Sequence, residues 1–390
     1  MTLDFSRRGR ALVGQEMFLV LERAKKIEET GAHVYHLELG NPRQAPPREL
    51  LDKAVDALTH RHVGYTYSAG LPVLRQGVAS YFKASTGRAL TEDNVAISPA
   101  NLLITQFLEL TCDPGDRVAL FSPAFPTYWA AADYVGLETI DVGLDAAHDF
   151  ELTDDAIDTA LAARPRAIIV NSANNPTGAV YRREPLERLA RECERRGIWL
   201  MSDETYAEVS FARPFFSLAG LDLRHVLVIG SFSKMFSVPG FRTGFAVGDA
   251  EVIGKVSLST STLISCLPIF TQMGCAAGLR RLDRYTAGVR SRCAHATTLC
   301  DEELSRSAVL RHVVPHAGFY FLVDIGATGL DDMEFAHRLL DEHHTAVTPG
   351  RSFGRAWDRH VRIATCGRLD DVLEGTRRLV AFAESLVTAA

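Results

Sequence analysis

V-L-V-I-G-S-F-S-K-M-F-S-V-P-G-F-R-T-G-F-A-V occupies Val226 to Val247. Two apolar runs, Val226–Gly230 and Gly244–Val247, flank a polar stretch that carries Ser231, Ser233, Lys234 and Arg242. An uninterrupted apolar run of this length reads as a strand covered on both faces. Working outward, Val95–Ser98, Val118–Ser122, Ala167–Asn171 and Ile198–Ser202 repeat the pattern. Helical patterns lie between the runs, at Leu71–Ala84, Asn101–Thr111 and Glu184–Arg196. The last has Pro185 in its first turn and Gly197 just past its end, a start-and-stop pair. This alternation predicts an α/β fold with a mostly parallel sheet covered by helices. After about residue 290 the pattern shifts to longer helices with a few alternating strands, such as Tyr320–Asp324, which predicts a smaller α+β domain. Upstream, Gln15–Glu29 reads as an amphipathic helix and Val34–Leu39 as a short strand ended by Gly40-Asn41-Pro42.

The chain has 390 residues, a length that predicts about two domains. Lysine and arginine total 42 against 48 aspartates and glutamates, a formal charge of −6. That balance offers no global attraction to nucleic acid or an anionic membrane. No stretch reaches the roughly 18 apolar residues of a membrane helix. Met1–Arg10 lacks the apolar core of a secretory signal, so a cytoplasmic location is expected. Seven scattered cysteines without C-x-x-C spacing predict reduced thiols rather than disulfides, and no metal-ligand pattern stands out. The adjacent His343 and His344 read as solvated surface.

In an open α/β sheet, ligands gather at the carboxyl ends of the strands. Three successive runs end in chemistry. Ala167–Val170 leads into N-S-A-N-N-P-T-G (Asn171–Gly178), the next into D-E-T-Y (Asp203–Tyr206), and the quoted stretch into S-F-S-K. Lys234, between two serines at the end of an apolar strand, makes a poor surface lysine. Asp203 reads either as a helix N-cap or as a carboxylate serving a ligand.

The run S-F-S-K-M-F-S-V-P-G-F-R-T-G-F resembles the cofactor-lysine motif of class I/II aminotransferases. N-N-P-T-G-A-V-Y and D-E-T-Y resemble two further motifs of that family, in the same order, and weaker similarity runs from about Leu37 to Leu379. Several motifs in order are far more specific than one. The resemblance implies a fold type I enzyme in which Lys234 holds pyridoxal 5′-phosphate as a Schiff base and moves the substrate α-proton. It implies that Asp203 pairs with the ring nitrogen, and that Tyr206 and Asn175 bond the ring's phenolic oxygen. Ser231, Ser233 and Arg242 would take the phosphate, together with the helix N-terminus at Ala100, Asn101 and Leu102. Here the chain departs from the family, which usually has a glycine-containing turn where Pro99 and Ala100 stand. Phe125 falls where the family stacks an aromatic on the ring; ordinary core burial is its other reading. Arg362, in V-R-I-A, would grip the α-carboxylate, with a structural salt bridge as the alternative. Gly40 would close over the substrate. Tyr65 would reach the phosphate of a neighbouring subunit, which implies a homodimer with shared sites.

The implied layout is a large cofactor-binding domain over 46–289 and a small domain from 1–45 and 290–390. The implied reaction passes an amino group from an L-amino acid to a 2-oxo acid. The same residues also suit β- or γ-elimination or replacement, cyclisation or oxidation, because fold alone does not select the outcome. A non-catalytic sensor domain is the third reading, but only about 40 residues precede the motif region and no basic patch accompanies them. Acidic substrates would need a second cation, and Arg43, Arg213 and Arg351 sit in or near plausible loops.

Overall fold

A computed structural model describes residues 4–6, 9–10, 14–60 and 63–388. Part of Met1–Arg10 and the last two residues of the expected small domain therefore lie outside the described residues. The strands are β1 (Tyr35–His36), β2 (Val95–Ser98), β3 (Arg117–Ser122), β4 (Glu138–Gly143), β5 (Ala167–Asn171), β6 (Trp199–Asp203) and β7 (Val226–Ser231). They continue with β8 (Gly244–Val247), β9 (Arg311–His312), β10 (Tyr320–Asp324), β11 (Thr345–Ala346), β12 (Thr348–Pro349) and β13 (His360–Ala364).

The main sheet has seven strands in the order β2-β8-β7-β6-β5-β3-β4. β4, β3, β5, β6 and β7 pair in parallel, while β8 runs against both its neighbours. The mostly parallel α/β architecture read from the sequence is thus present, with one reversed strand. Alternate side chains of the inner strands enter separate cores, whereas the edge strand β4 faces only one. Ile168, Val170, Leu200, Val226 and Val228 face one core, with the helices Pro72–Thr86 and Arg183–Arg196. Ile169, Met201, Leu227 and Ile229 face the other, with the helices Ala100–Thr111 and Pro126–Val135. Burial on both faces is why these strands read as continuous apolar runs.

A second, antiparallel sheet has the order β12-β13-β10-β9, and β1 pairs in parallel with β11. β10 corrects the expected alternation, since Tyr320, Phe321, Leu322 and Val323 are all buried. Phe321 and Val323 join the core of the second sheet, whereas Tyr320 and Leu322 face clusters next to the main sheet. The predicted strand Val34–Leu39 shortens to Tyr35–His36, and the helix expected at Asn101 opens one residue earlier, at Ala100. His343 and His344 are half-buried rather than solvated: His343 packs on Phe382 at 5.1 Å, and His344 ends a helix at φ 53°. Among the described residues no helix is long and apolar enough to cross a membrane.

Leu200 lies fully buried in β6, the strand that ends at Asp203. Leu200→Ala is expected to cost about 2–5 kcal/mol of stability through lost burial and a residual cavity. Guanidinium unfolding checks this as a lower midpoint with an unchanged slope.

Candidate active site

Register sets the site. Asn171 pairs with Asp203 across β5 and β6, and Ser231 and Ser98 both pair with Gly244. The carboxyl ends of these strands therefore present an amide, a carboxylate and hydroxyls along one edge. A cavity of about 520 Å³ opens above that edge. It is lined, among others, by Lys234, Asp203, Tyr206, Arg242 and Arg362.

β7 passes straight into the short helix Phe232–Met235, whose N-cap is Ser231; its Oγ accepts from the Ser233 N–H at 3.2 Å. That turn aims Lys234 into the cavity, where its Nζ donates to the Gly40 carbonyl. Burial, aided by the charges of Arg362 and Arg242, pulls the amine down from 10.5 to about 8.

Asp203 is buried at the cavity floor. One carboxylate oxygen accepts from the Tyr128 hydroxyl at 2.7 Å, the other from the Thr205 N–H at 3.0 Å. Burial pushes its pKa up, and these two donors oppose the rise. Asp203 is not the helix N-cap, since the next helical turn, Ala207–Val209, is entered at Tyr206; its Thr205 bond instead closes a local turn while the same side chain faces the cavity. Asn171 donates to the Asp203 carbonyl at 2.9 Å and accepts from the Asn175 N–H at 2.9 Å.

Arg362 is 1% exposed in the middle strand β13. It makes no ion pair with a carboxylate among the described residues, which removes the salt-bridge alternative. Its Nη1 donates to Asn175 Oδ1 at 3.1 Å, and its Nη2 to the Glu38 carbonyl at 2.6 Å and Thr348 Oγ1 at 3.2 Å. The guanidinium lies 4.3 Å from the Tyr320 ring centroid and 5.0 Å from that of Phe353. Its Nε is buried without a partner. A cation stripped of water with a donor to spare calls for an anion. Gly40 belongs to the same wall: a Cβ there would strike the Tyr320 hydroxyl and come within 2.9 Å of Phe319.

Ala100, Asn101, Phe125, Asn175, Ser231 and Ser233 also line the cavity. Leu102 does not line it and is half-buried beside it on the helix. Arg242 is exposed at the cavity rim at φ 52° and donates to the Pro239 carbonyl at 3.0 Å. Tyr65 stands apart, 92% exposed on a loop and outside the cavity. Arg213 is tied to Glu151 and Arg351 to Asp332, so neither serves the cavity, and Arg43 lines a neighbouring one. Two residues not singled out from the sequence are central. Tyr128 lies one helical turn beyond Phe125, on the same face, a spacing that could have flagged it. Tyr320 bonds the Tyr206 hydroxyl at 3.0 Å across 114 residues, and nothing local announces it.

The pattern of aminotransferase class I and II matches residues 32–379. Arginine–pyruvate transaminase of Pseudomonas aeruginosa is 28% identical over 94% of this chain and 94% of its own length. Aspartate aminotransferase of Thermotoga maritima is 28% identical over 93% of this chain and 95% of its own. The structure of Thermus thermophilus aspartate aminotransferase with maleate superposes with a TM-score of 0.92 at 27% identity, covering 97% of this chain and all of that one. A cavity that gathers a half-buried lysine with a buried carboxylate and a buried arginine at the strand ends of an α/β sheet, within a chain matched by the family pattern over residues 32–379, establishes that the protein belongs to the class I and II aminotransferases.

Proposed function

We propose that the protein is a pyridoxal 5′-phosphate-dependent aminotransferase that moves the amino group of an L-amino acid to a 2-oxo acid. The observation that carries this reading is Lys234, half-buried and lining one cavity with the buried Asp203. The donor set fits the cofactor by its chemistry. A carboxylate sits at the floor, an amine in the middle, and hydroxyls, an arginine and a twelve-residue helix N-terminus at one side. When bound, pyridoxal 5′-phosphate supplies an aldehyde that condenses with amines and a ring that withdraws electrons from the α-carbon.

The protein's own groups do the rest. Lys234 would hold the cofactor and would carry the proton to and from the substrate α-carbon. A lysine with a pKa near 8 exchanges that proton far more readily than one at 10.5. Asp203 keeps the ring nitrogen protonated, and Tyr128 holds Asp203 in place. Tyr206 and Asn175 would bond the cofactor's phenolic oxygen, and Phe125 would lie against its ring. Ser231, Ser233, Arg242 and the amides at Ala100 and Asn101 take the phosphate. Arg362 takes the substrate α-carboxylate, with Asn175 and Gly40 shaping its seat.

The same proposal includes the homodimer, a cytoplasmic location and the domain division at 46–289 against 1–45 with 290–390. Pairing of β1 with β11 supports the division. An exposed apolar stripe supports the dimer: Leu51, Val55 and Leu58 follow helical spacing on Arg48–His60. Tyr65 and Tyr67 lie beyond it, and the Thr66 N–H donates to Cys266 Sγ at 3.3 Å, beside exposed Leu263 and Ile264.

Lys234→Ala is expected to abolish turnover, because no other lysine among the described residues lines the cavity; turnover is measured with a panel of amino acids and pyruvate or 2-oxoglutarate. Wild-type rates in that variant would sink the proposal. Arg362→Lys is expected to weaken amino acid binding by about 2–5 kcal/mol, since a point charge replaces a planar fork. The cofactor's absorbance should stay almost unchanged. Wild-type affinity with a lowered melting temperature would instead make Arg362 a structural residue. Light scattering should find a dimer, and Tyr65→Ala should lose cofactor faster on dialysis. A fully active monomer would remove the shared site.

A further inference from the structure

Glu38 is 0% exposed, yet the mechanism above leaves its side chain unused. Its Oε1 lies 2.9 Å from His36 Nδ1, and its Oε2 is buried with no partner. The other ring nitrogen, His36 Nε2, lies 3.2 Å from Glu28 Oε1. A neutral imidazole carries one N–H and serves one carboxylate; only the imidazolium donates to both. The geometry is therefore that of a charged His36 bridging the helix Glu16–Glu28 and the buried Glu38. The backbone of Glu38 faces the opposite way. Its carbonyl accepts from Arg362 Nη2 at 2.6 Å and from Thr348 Oγ1 at 2.7 Å. Two residues on, the Gly40 carbonyl receives Lys234. One short segment thus carries an ion pair on one side and the seat of Arg362 on the other. Leu39 and Asn41 line both the active-site cavity and a second cavity of about 310 Å³ behind it.

We propose that His36, acting through Glu38, is a positioning residue for Arg362, so that loss of one proton from His36 weakens capture of the substrate carboxylate. The inference rests on Arg362 being the carboxylate site. The charged groups around His36 are accounted for. Lys25 pairs with Glu28 at 2.8 Å, and Asp371 is faced by His33 at 3.3 Å and Arg368 at 3.8 Å. Arg43 lines the same rear cavity. Glu28 keeps Lys25 and solvent when His36 is neutral, whereas buried Glu38 has no substitute donor among the described residues. The Glu38 hydrogen bond, more than the desolvation that opposes it, raises His36 above 6.5. The pair is thus intact at lower pH and is lost as pH rises through that raised value.

The test measures affinity of the holoenzyme for 3-phenylpropionate, an unreactive carboxylate, by calorimetry from about pH 6 to about pH 9. Melting temperatures are taken on the same samples. The wild type should bind about tenfold more weakly at the upper end, the scale of one charged hydrogen bond. His36→Gln and Glu38→Gln should bind weakly at every pH. His36→Lys, whose charge persists across this range, should bind tightly with little pH dependence. A His36→Gln profile that tracks the wild type, or variants that change only melting temperature, would overturn the proposal. Carboxylate binding insensitive to Arg362→Lys would overturn the carboxylate-site reading itself, and this inference with it.

Discussion

A guanidinium buried without a carboxylate is the constraint around which this protein is arranged. Taking a cation out of water is expensive unless hydrogen bonds replace the lost hydration. Arg362 finds three oxygens, from Glu38, Asn175 and Thr348, and two aromatic faces, Tyr320 and Phe353. These partners come from the segment after β1, the loop after β5, and the second sheet. Satisfying one charge therefore fixes the second sheet against the carboxyl edge of the first. The same requirement leaves Nε without a partner in the assembled protein. That donor is free to meet one further acceptor, which is the use the proposed function makes of it.

The architecture was legible because double burial leaves a strong local signal. β3, β5, β6 and β7 face a core on each side, and each reads as an unbroken apolar run. Direction is a different matter. An apolar run carries no arrow, so β8 looked like its parallel neighbours and runs against them. β10 shows the converse failure. Its side chains join three clusters drawn from distant segments, so its burial depends on what packs on each face rather than on its own period. The site divides in the same way. Lys234, Asp203, Asn175 and Arg242 stand in local patterns that follow strand ends. Tyr128 and Tyr320 meet their partners across 75 and 114 residues, and the Glu38 carbonyl meets Arg362 across 324, contacts that no window of sequence contains.

The helix facing the cavity shows how a departure from a familiar pattern is absorbed. Where the resembled motif would have a glycine-containing turn stand Pro99 and Ala100; Pro99 is the N-cap at φ −57° and the helix starts at once, at Ala100. Proline suits that position because its fixed φ is compatible with a helix entry and it has no N–H to leave unpaired. The close approach is met elsewhere, by Gly244, where a Cβ would lie 3.0 Å from the Ala100 nitrogen and 2.7 Å from the Gly230 carbonyl. The glycine needed for the helix to reach the strand edge stands on the strand.

Electrostatics completes the picture. The whole chain is acidic, with a formal charge of −6. The described residues lining the cavity nevertheless include Lys234, Arg242 and Arg362 against one carboxylate, Asp203. A positive cleft with low-dielectric walls focuses its field on anions, whereas the acidic exterior repels them elsewhere. Three clustered cations also repel one another. The cheapest relief falls on the one that can shed a proton, since arginine stays charged. Lys234 is accordingly the group driven down to about 8, mainly by burial and further by both arginines. Burial and the two arginine charges thus act on Lys234 in the same direction, favouring its neutral, basic form.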